Sequence, residues 1–536
     1  MMSKGIGILL AVARLLMGQE ADLVLTNGRI WTGSEKQPWA EALAIRRNRI
    51  VAAGSNEEVR ALPGKRVIDL GGKLAVPGFN DAHIHFLSGA LGRKAVDLIG
   101  ARNLEEIQKR VAEFARAHPE AGWITGAGWE YGALPGQRLP RREDLDAAVK
   151  DRPVFLRAYD GHTGWANTKA LETAGVTRSS RYDGFGEVAR DAQGAPTGAL
   201  KEGAQRLVEA RIPQPGRGAK LEALEEAMRL AASLGITSIQ NASGDAEEWG
   251  LYQELEKAGK LTLRARMAMS AGPRDVEPPG PAVKFVLDGV IETHTAAMIE
   301  PYADAPGVTG KASWEAAVFW EKVARFSAGG AQVWAHAIGD RAVRTALDAF
   351  SKAGSRGKRH RIEHIETVAS DDVPRFAKLG VLASMMPIHG DPGTAEVWSR
   401  AVGEKRLPLA FAWRSLEQAG ARLVFSSDWP ATISLDPMRG LHCAVNRRTL
   451  EGQPAGGWVP EQRVSLETAL RAYTAGGAFA SFEEKVKGKL EPGMLADVVV
   501  LSQDLFRMDA MEIGRTKVEM TVFDGRVVYD RGGEGR

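Results

Sequence analysis

His83 and His85 stand one residue apart in the stretch NDAHIHF, directly after the turn-like VPGF. In an extended strand, side chains two apart project from the same face, so both imidazoles would point together as paired metal ligands do. A solvent-facing strand with alternating polar residues gives the same pattern, so the pair alone does not decide. Further candidates follow at wide intervals: Lys284 in VKFVLDG, His336 in WAHAIGD, His364 in RIEHIE and Asp428 in FSSDWP. Neutral imidazoles and carboxylates suit zinc and other divalent ions, and a site with an open position can activate water. Each residue also has an ordinary reading: a hydrogen-bonded strand histidine, a turn-initiating Asp428, a strand-end ion-pair Lys284. As an ammonium Lys284 repels a cation, so it serves as a ligand only once converted to a carbamate.

Elements that could bring these residues together are short apolar runs alternating with helical stretches, the texture of an α/β domain. The run NDAHIHF comes first. The helical stretch LEALEEAMRLAASLG ends at Gly235 and leads into ITSIQNAS, followed by LTLRARMAM, VKFVLDG, AQVWAHAIGD, HRIEHIE, VLASMMP and ARLVFSSDWP. These eight runs predict a (β/α)8 TIM-type barrel, in which functional residues lie at the C-terminal ends of strands. Lys284, His336, His364 and Asp428 then fall at or near the ends of strands four, five, six and eight, converging with His83 and His85 of strand one.

The ends of the chain read differently. ADLVLTNGRIWTG, EALAIRRNRIVAAG and RVIDLGGKLAVPG are short strands with tight turns, and the same texture returns in KGKLEPGMLADVVVLSQDL and KVEMTVFDGRVVYDRGG. Residues 21–76 and 481–536 are therefore expected to form one small β-sandwich, with the barrel over 77–480. A large insertion after the first barrel strand, about 90–220, is expected to cover the barrel mouth. Within it, GFGEVARDAQGAPTGAL reads as a hairpin.

The 536 residues are 44% hydrophobic and 26% charged, those of a globular chain. Seventy basic residues against 67 acidic ones leave a formal charge of +3, without a basic block, which argues against a nucleic-acid partner. The single cysteine, Cys443, excludes an intrachain disulfide and a cysteine zinc cluster. GIGILL is an isolated Gly-x-Gly with no strand before it, so no nucleotide cofactor is indicated. Residues 1–20 loosely fit a secretory signal peptide, which favours a secreted or periplasmic location over a cytoplasmic one; the alternative is a simple N-terminal extension. Its uncharged run is far shorter than a membrane span.

PGFNDAHIH, VKFVLDG, HAIGDRA, RIEH and SSDWP, in that order and between split terminal β-units, resemble the metal-dependent amidohydrolase superfamily, in particular its long-chain branch that includes N-substituted formamide deformylase. The resemblance implies that His83, His85 and Asp428 hold one divalent metal, typically zinc, that His336 and His364 hold a second, and that a carboxylated Lys284 bridges them. A site with one ion remains the alternative if Lys284 is unmodified. It further implies hydrolysis of a non-peptide amide-type C–N bond in a small molecule, with Asp428 as general base and then general acid. Substrate-facing candidates are Trp129 in GAGWEYG, His162 in DGHTGWANTKAL, His294 in ETHTAAM and His389 in MPIHGD. Family members carry text similar to that around His162, whereas core packing is the ordinary reading of Trp129. Asp81 and Asp340 are expected to orient backbone or imidazoles. A deaminase or cyclic C=N hydrolase on the same barrel is the alternative, disfavoured because HAIGDRA supplies no glutamate beside the fifth-strand histidine. A non-enzymatic binding protein is less consistent with a complete ligand set. Self-association is left open.

Overall fold

A computed structural model describes residues 20–272 and 274–533. The export-signal reading of residues 1–20 falls, but for Glu20, outside the described residues.

An eight-stranded parallel sheet forms the centre: β1 (Phe79–Ile84), β2 (Ile236–Gly244), β3 (Arg264–Ser270), β4 (Ala282–Val286), β5 (Gln332–Ala337), β6 (Arg361–His364), β7 (Leu382–Met385) and β8 (Leu423–Phe425). Neighbours in the sheet are neighbours in the chain, and all eight strands lie in the runs expected from the sequence. β5 and β6 are buried at every residue, as parallel strands covered on both faces must be. The sheet nearly closes: just past β8, the Asp428 amide donates to the His83 carbonyl of β1 at 2.8 Å. That contact brings the first and last ligand-bearing segments together.

Helices pack outside. Along Arg217–Ser233, Ala223, Leu224, Ala227, Met228 and Ala231 recur at three- and four-residue spacing and are buried. The chain then turns into β2 through Gly235, with φ +77°, where a Cβ would stand 2.8 Å from a Val499 methyl. Glycine satisfies both the backbone and the space there.

Both chain ends enter one six-stranded sheet, where Leu74–Pro77 pairs antiparallel with Val498–Leu501. A four-stranded sheet of residues between Ala21 and Asp69 lies against it, and Leu25, Leu43 and Ile45 share a core with Ala75, Val498 and Val522. Between β1 and β2, strands from Val96 to Glu202 build a third, six-stranded sheet with its own core, including Ile107, Val111, Leu156 and Trp165. Gly186–Arg190 and Pro196–Glu202 pair as the hairpin, its turn held by Asp191 Oδ1, which accepts from the Gln193 and Ala195 amides. This unit touches the barrel loops through Tyr159, whose hydroxyl donates to Glu292 at 2.9 Å, and Glu202, which accepts from Thr295 at 2.7 Å.

Candidate metal centre

His83 lies within β1 and is fully buried; His85 follows the strand, directly before the helix Phe86–Gly92. Their Nε2 atoms stand 3.3 and 3.2 Å from Asp428 Oδ1. On the other side of that carboxylate, Oδ2 is 3.9 Å from His364 Nδ1 and 3.8 Å from His389 Nε2. The ring of His336, at the end of β5, lies 4.4 Å from that of His364. Lys284 Nζ reaches His83 Nε2 at 3.0 Å. Ends of β1, β4, β5, β6 and β8 thus meet in one cluster.

Two of these residues owe their place to unusual backbone. Alternation along β6 sends Arg361 and Glu363 to the barrel interior, and His364 would point away in a continued strand. His364 instead has φ 72°, and Asp428 has φ 63°. Left-handed conformation costs a non-glycine residue about 1–3 kcal/mol and collects at functional sites.

Several partners are outside the sequence motifs as first read. His83 Nδ1 meets Glu363 Oε2 at 2.6 Å, and Glu363 is itself held by Arg361 Nε at 2.6 Å. His85 Nδ1 faces Ser243 Oγ at 3.1 Å. Asp288, at the end of VKFVLD, accepts from the amides of Ala297, Ile338 and Gly339 and so fixes the loop after β5. The alternation in RIEHIE is the one local signal for Glu363; its bond to His83, 280 residues away, has none. Asp81 and Asp340 both accept from backbone amides, of Ser427 and Ile299 respectively.

The four pocket candidates separate. The ring of His162 lies 5.4 Å from that of His336, and its Nδ1 meets Glu202 at 2.7 Å. His389 joins the Asp428 cluster. Trp129 does not: it is completely buried in the core of the inserted unit, edge-on to Tyr131 and Trp165. His294 is likewise engaged elsewhere, with Nε2 2.7 Å from Asp304 Oδ1 and its ring edge on Tyr302.

Electrostatics favour lone pairs on three of the imidazoles, whereas for His389 burial opposes the charge and the Glu366 and Asp428 carboxylates raise its pKa. Burial, with neighbouring positive charge, holds His336 and His364 well below the usual histidine range, and burial and then Lys284 push His83 down to about 4. Burial lowers Lys284 to about 8, which eases access to its neutral amine. Burial would raise Asp428, but His83 and His85 hold it well below the carboxylate range. For His162 burial opposes the charge and the Glu202 carboxylate wins, lifting it to about 10.

The donor set fits a divalent cation. His336 Nε2, both ring nitrogens of His364 and Asp428 Oδ1 are buried without a hydrogen bond, an expensive arrangement in a protein interior unless a cation takes the lone pairs. His83, His85 and Asp428, and separately His364, His389 and Asp428, bring their ligand atoms within 4.8 Å of one another.

The Amidohydrolase family profile matches residues 66–529, across the barrel, the inserted unit and the C-terminal strands of the terminal sheets. The chain belongs to the amidohydrolase family. Protein LONG AFTER FAR-RED 3 of Arabidopsis thaliana is 30% identical over 96% of this amidohydrolase and 92% of its own length. The N-substituted formamide deformylase of Arthrobacter pascens is 27% identical over 96% of this chain and all of its own. An uncharacterized metal-dependent hydrolase from Pyrococcus horikoshii superposes with a TM-score of 0.72 at 27% identity, covering 91% of this chain and 99% of that one. Family and neighbours support hydrolytic activity for this amidohydrolase. No helix among the described residues is long and apolar enough to cross a membrane.

Proposed function

We propose that this amidohydrolase cleaves a non-peptide amide-type C–N bond in a small molecule, using one or two divalent ions, zinc by preference. The observation that carries this reading is the buried cluster of lone pairs around Asp428, with a hydrolase family's barrel beneath it. His83, His85 and Asp428 would hold one ion; His336 and His364 would hold a second, with carboxylated Lys284 between them. When bound, such an ion supplies an acidified water and a Lewis acid for the substrate carbonyl.

The protein's own groups supply the rest. Asp428 takes a proton from the attacking water as the C–O bond forms, and delivers it to the nitrogen as the C–N bond breaks, so the amine leaves neutral. Glu363 keeps the proton of His83 on Nδ1, leaving Nε2 as a ligand atom. His162, braced by Glu202, offers a donor to the substrate at the mouth, which the inserted unit covers. The paired terminal sheets act as a β-sandwich bracing the barrel.

The formamide-cleaving relative makes N-formyl amines the first substrates to try, followed by longer N-acyl amines. Purified protein should hydrolyse members of that panel, lose activity on chelation and regain it with zinc. Turnover of aminopurines or pyrimidines with no amide hydrolysis would replace this reading with deamination.

A further inference from the structure

Asp428 divides its two carboxylate oxygens between two histidine pairs: Oδ1 faces His83 and His85 at 3.3 and 3.2 Å, Oδ2 faces His364 and His389 at 3.9 and 3.8 Å. Ligands about 2.0–2.2 Å from a tetrahedral ion stand about 3.3–3.6 Å from each other. The Oδ1 separations lie close to the edge of such a shell, whereas the Oδ2 separations exceed it by a few tenths of an ångström and are too long for hydrogen bonds. On the Oδ2 side, His364 is only 4% exposed and neither ring nitrogen has a hydrogen bond. The His389 ring lies almost parallel to it, 10° off, with centroids 5.8 Å apart.

His389 also has a carboxylate behind it. Its Nδ1 faces Glu366 Oε1 at 3.6 Å, and the other Glu366 oxygen accepts from Trp398 Nε1 at 2.7 Å. This is a longer-range counterpart of the Glu363–His83 pair, which is a 2.6 Å hydrogen bond. A carboxylate on one ring nitrogen directs the other toward a cation. His389 Nε2 now meets the Ala431 carbonyl at 3.0 Å; ligation replaces that bond, with the ring proton carried on Nδ1 facing Glu366.

We propose that His389 is a further metal ligand, so that two cations straddle Asp428, one on His83 and His85 and the other on His336 and His364 with His389 added and Glu366 behind it. The inference rests on the metal-centre reading above and adds a ligand from the loop after β7.

The test is cobalt(II) titration of metal-free full-length protein, read by visible absorption and by metal content after desalting. Wild type should take up two equivalents. His389→Ala should weaken one of them at least tenfold and leave the other unchanged, and Glu366→Gln should weaken the same one by about 10–100-fold. His85→Ala should weaken the opposite one. Thermal melts confirm folding, and if His389→Ala fails to fold, His389→Gln and Glu366→Gln carry the comparison. Two equivalents retained within twofold in the His389 and Glu366 variants overturn the proposal while leaving a metal-dependent hydrolase intact. One equivalent in wild type also overturns it. No metal binding in wild type removes the metal-centre reading itself.

Discussion

Replacing Glu363 by glutamine tests whether the carboxylate beneath His83 organises the centre. Glu363 and Arg361 are fully buried, and Glu363 accepts from Arg361 at 2.6 and 3.0 Å and from His83 Nδ1 at 2.6 Å. Glutamine keeps the volume, but its amide must turn an N–H toward either Arg361 or His83, and the guanidinium loses its counter-charge. Breaking a buried ion pair from one side costs about 3–5 kcal/mol. Arg361 retains Gln240, Ser384 and the Ala82 carbonyl, so the loss should lie near the lower bound, about 3 kcal/mol. With the His83 tautomer no longer set, metal affinity should fall about 10–100-fold. Urea unfolding measures the first quantity and zinc titration against a chelating indicator the second. A variant within about 0.5 kcal/mol of wild type, the spread of neutral surface changes, and with unaltered zinc affinity would refute the reasoning.

His360 carries a pH dependence unrelated to metal: Nδ1 accepts from the Val333 amide and Nε2 meets Ser327 Oγ, both at 3.0 Å, and burial holds its pKa at about 4 against an ordinary 6.5. Because the folded value is depressed, the unfolded chain takes up the proton first, so this stability is complete above pH 6.5 and is lost as pH falls toward 4. Between about pH 7.5 and pH 4.5, wild type should lose about 2.5 kcal/mol more than His360→Gln in urea unfolding, and equal losses would contradict the burial argument. Gly89→Ala would place a Cβ 2.3 Å from the Trp429 ring, next to Asp428. It should cost about 1–3 kcal/mol in thermal unfolding, and hydrolysis should fall further than stability does because the ring's neighbour is Asp428.

The barrel was legible because most parallel strands covered on both faces are short, largely apolar runs, and all eight runs expected from the sequence became strands, the polar RIEH among them. His83, His85, Lys284, His336, His364 and Asp428 were readable by residue type and by position at strand ends. Glu363, Glu366 and Asp288 were not, because a carboxylate carries no local mark of the partner it will meet hundreds of residues away. The six-stranded sheet of the insertion was hidden for a similar reason, since its pairing joins runs too short to be distinctive alone. Trp129 shows the opposite limit: an aromatic beside a chemical motif has the same sequence whether it lines a pocket or fills a core.

The sequence by itself determined the inventory of ligand types, the eight strand runs and the strand ends that carry those ligands, because these follow from periodicity and side-chain chemistry. Tertiary structure alone decided that Asp428 faces two histidine pairs rather than one, with His389 in the second. The reason is geometric. Which oxygen meets which imidazole depends on the near-closure of β8 on β1 and on left-handed turns at His364 and Asp428, and neither is set by local sequence.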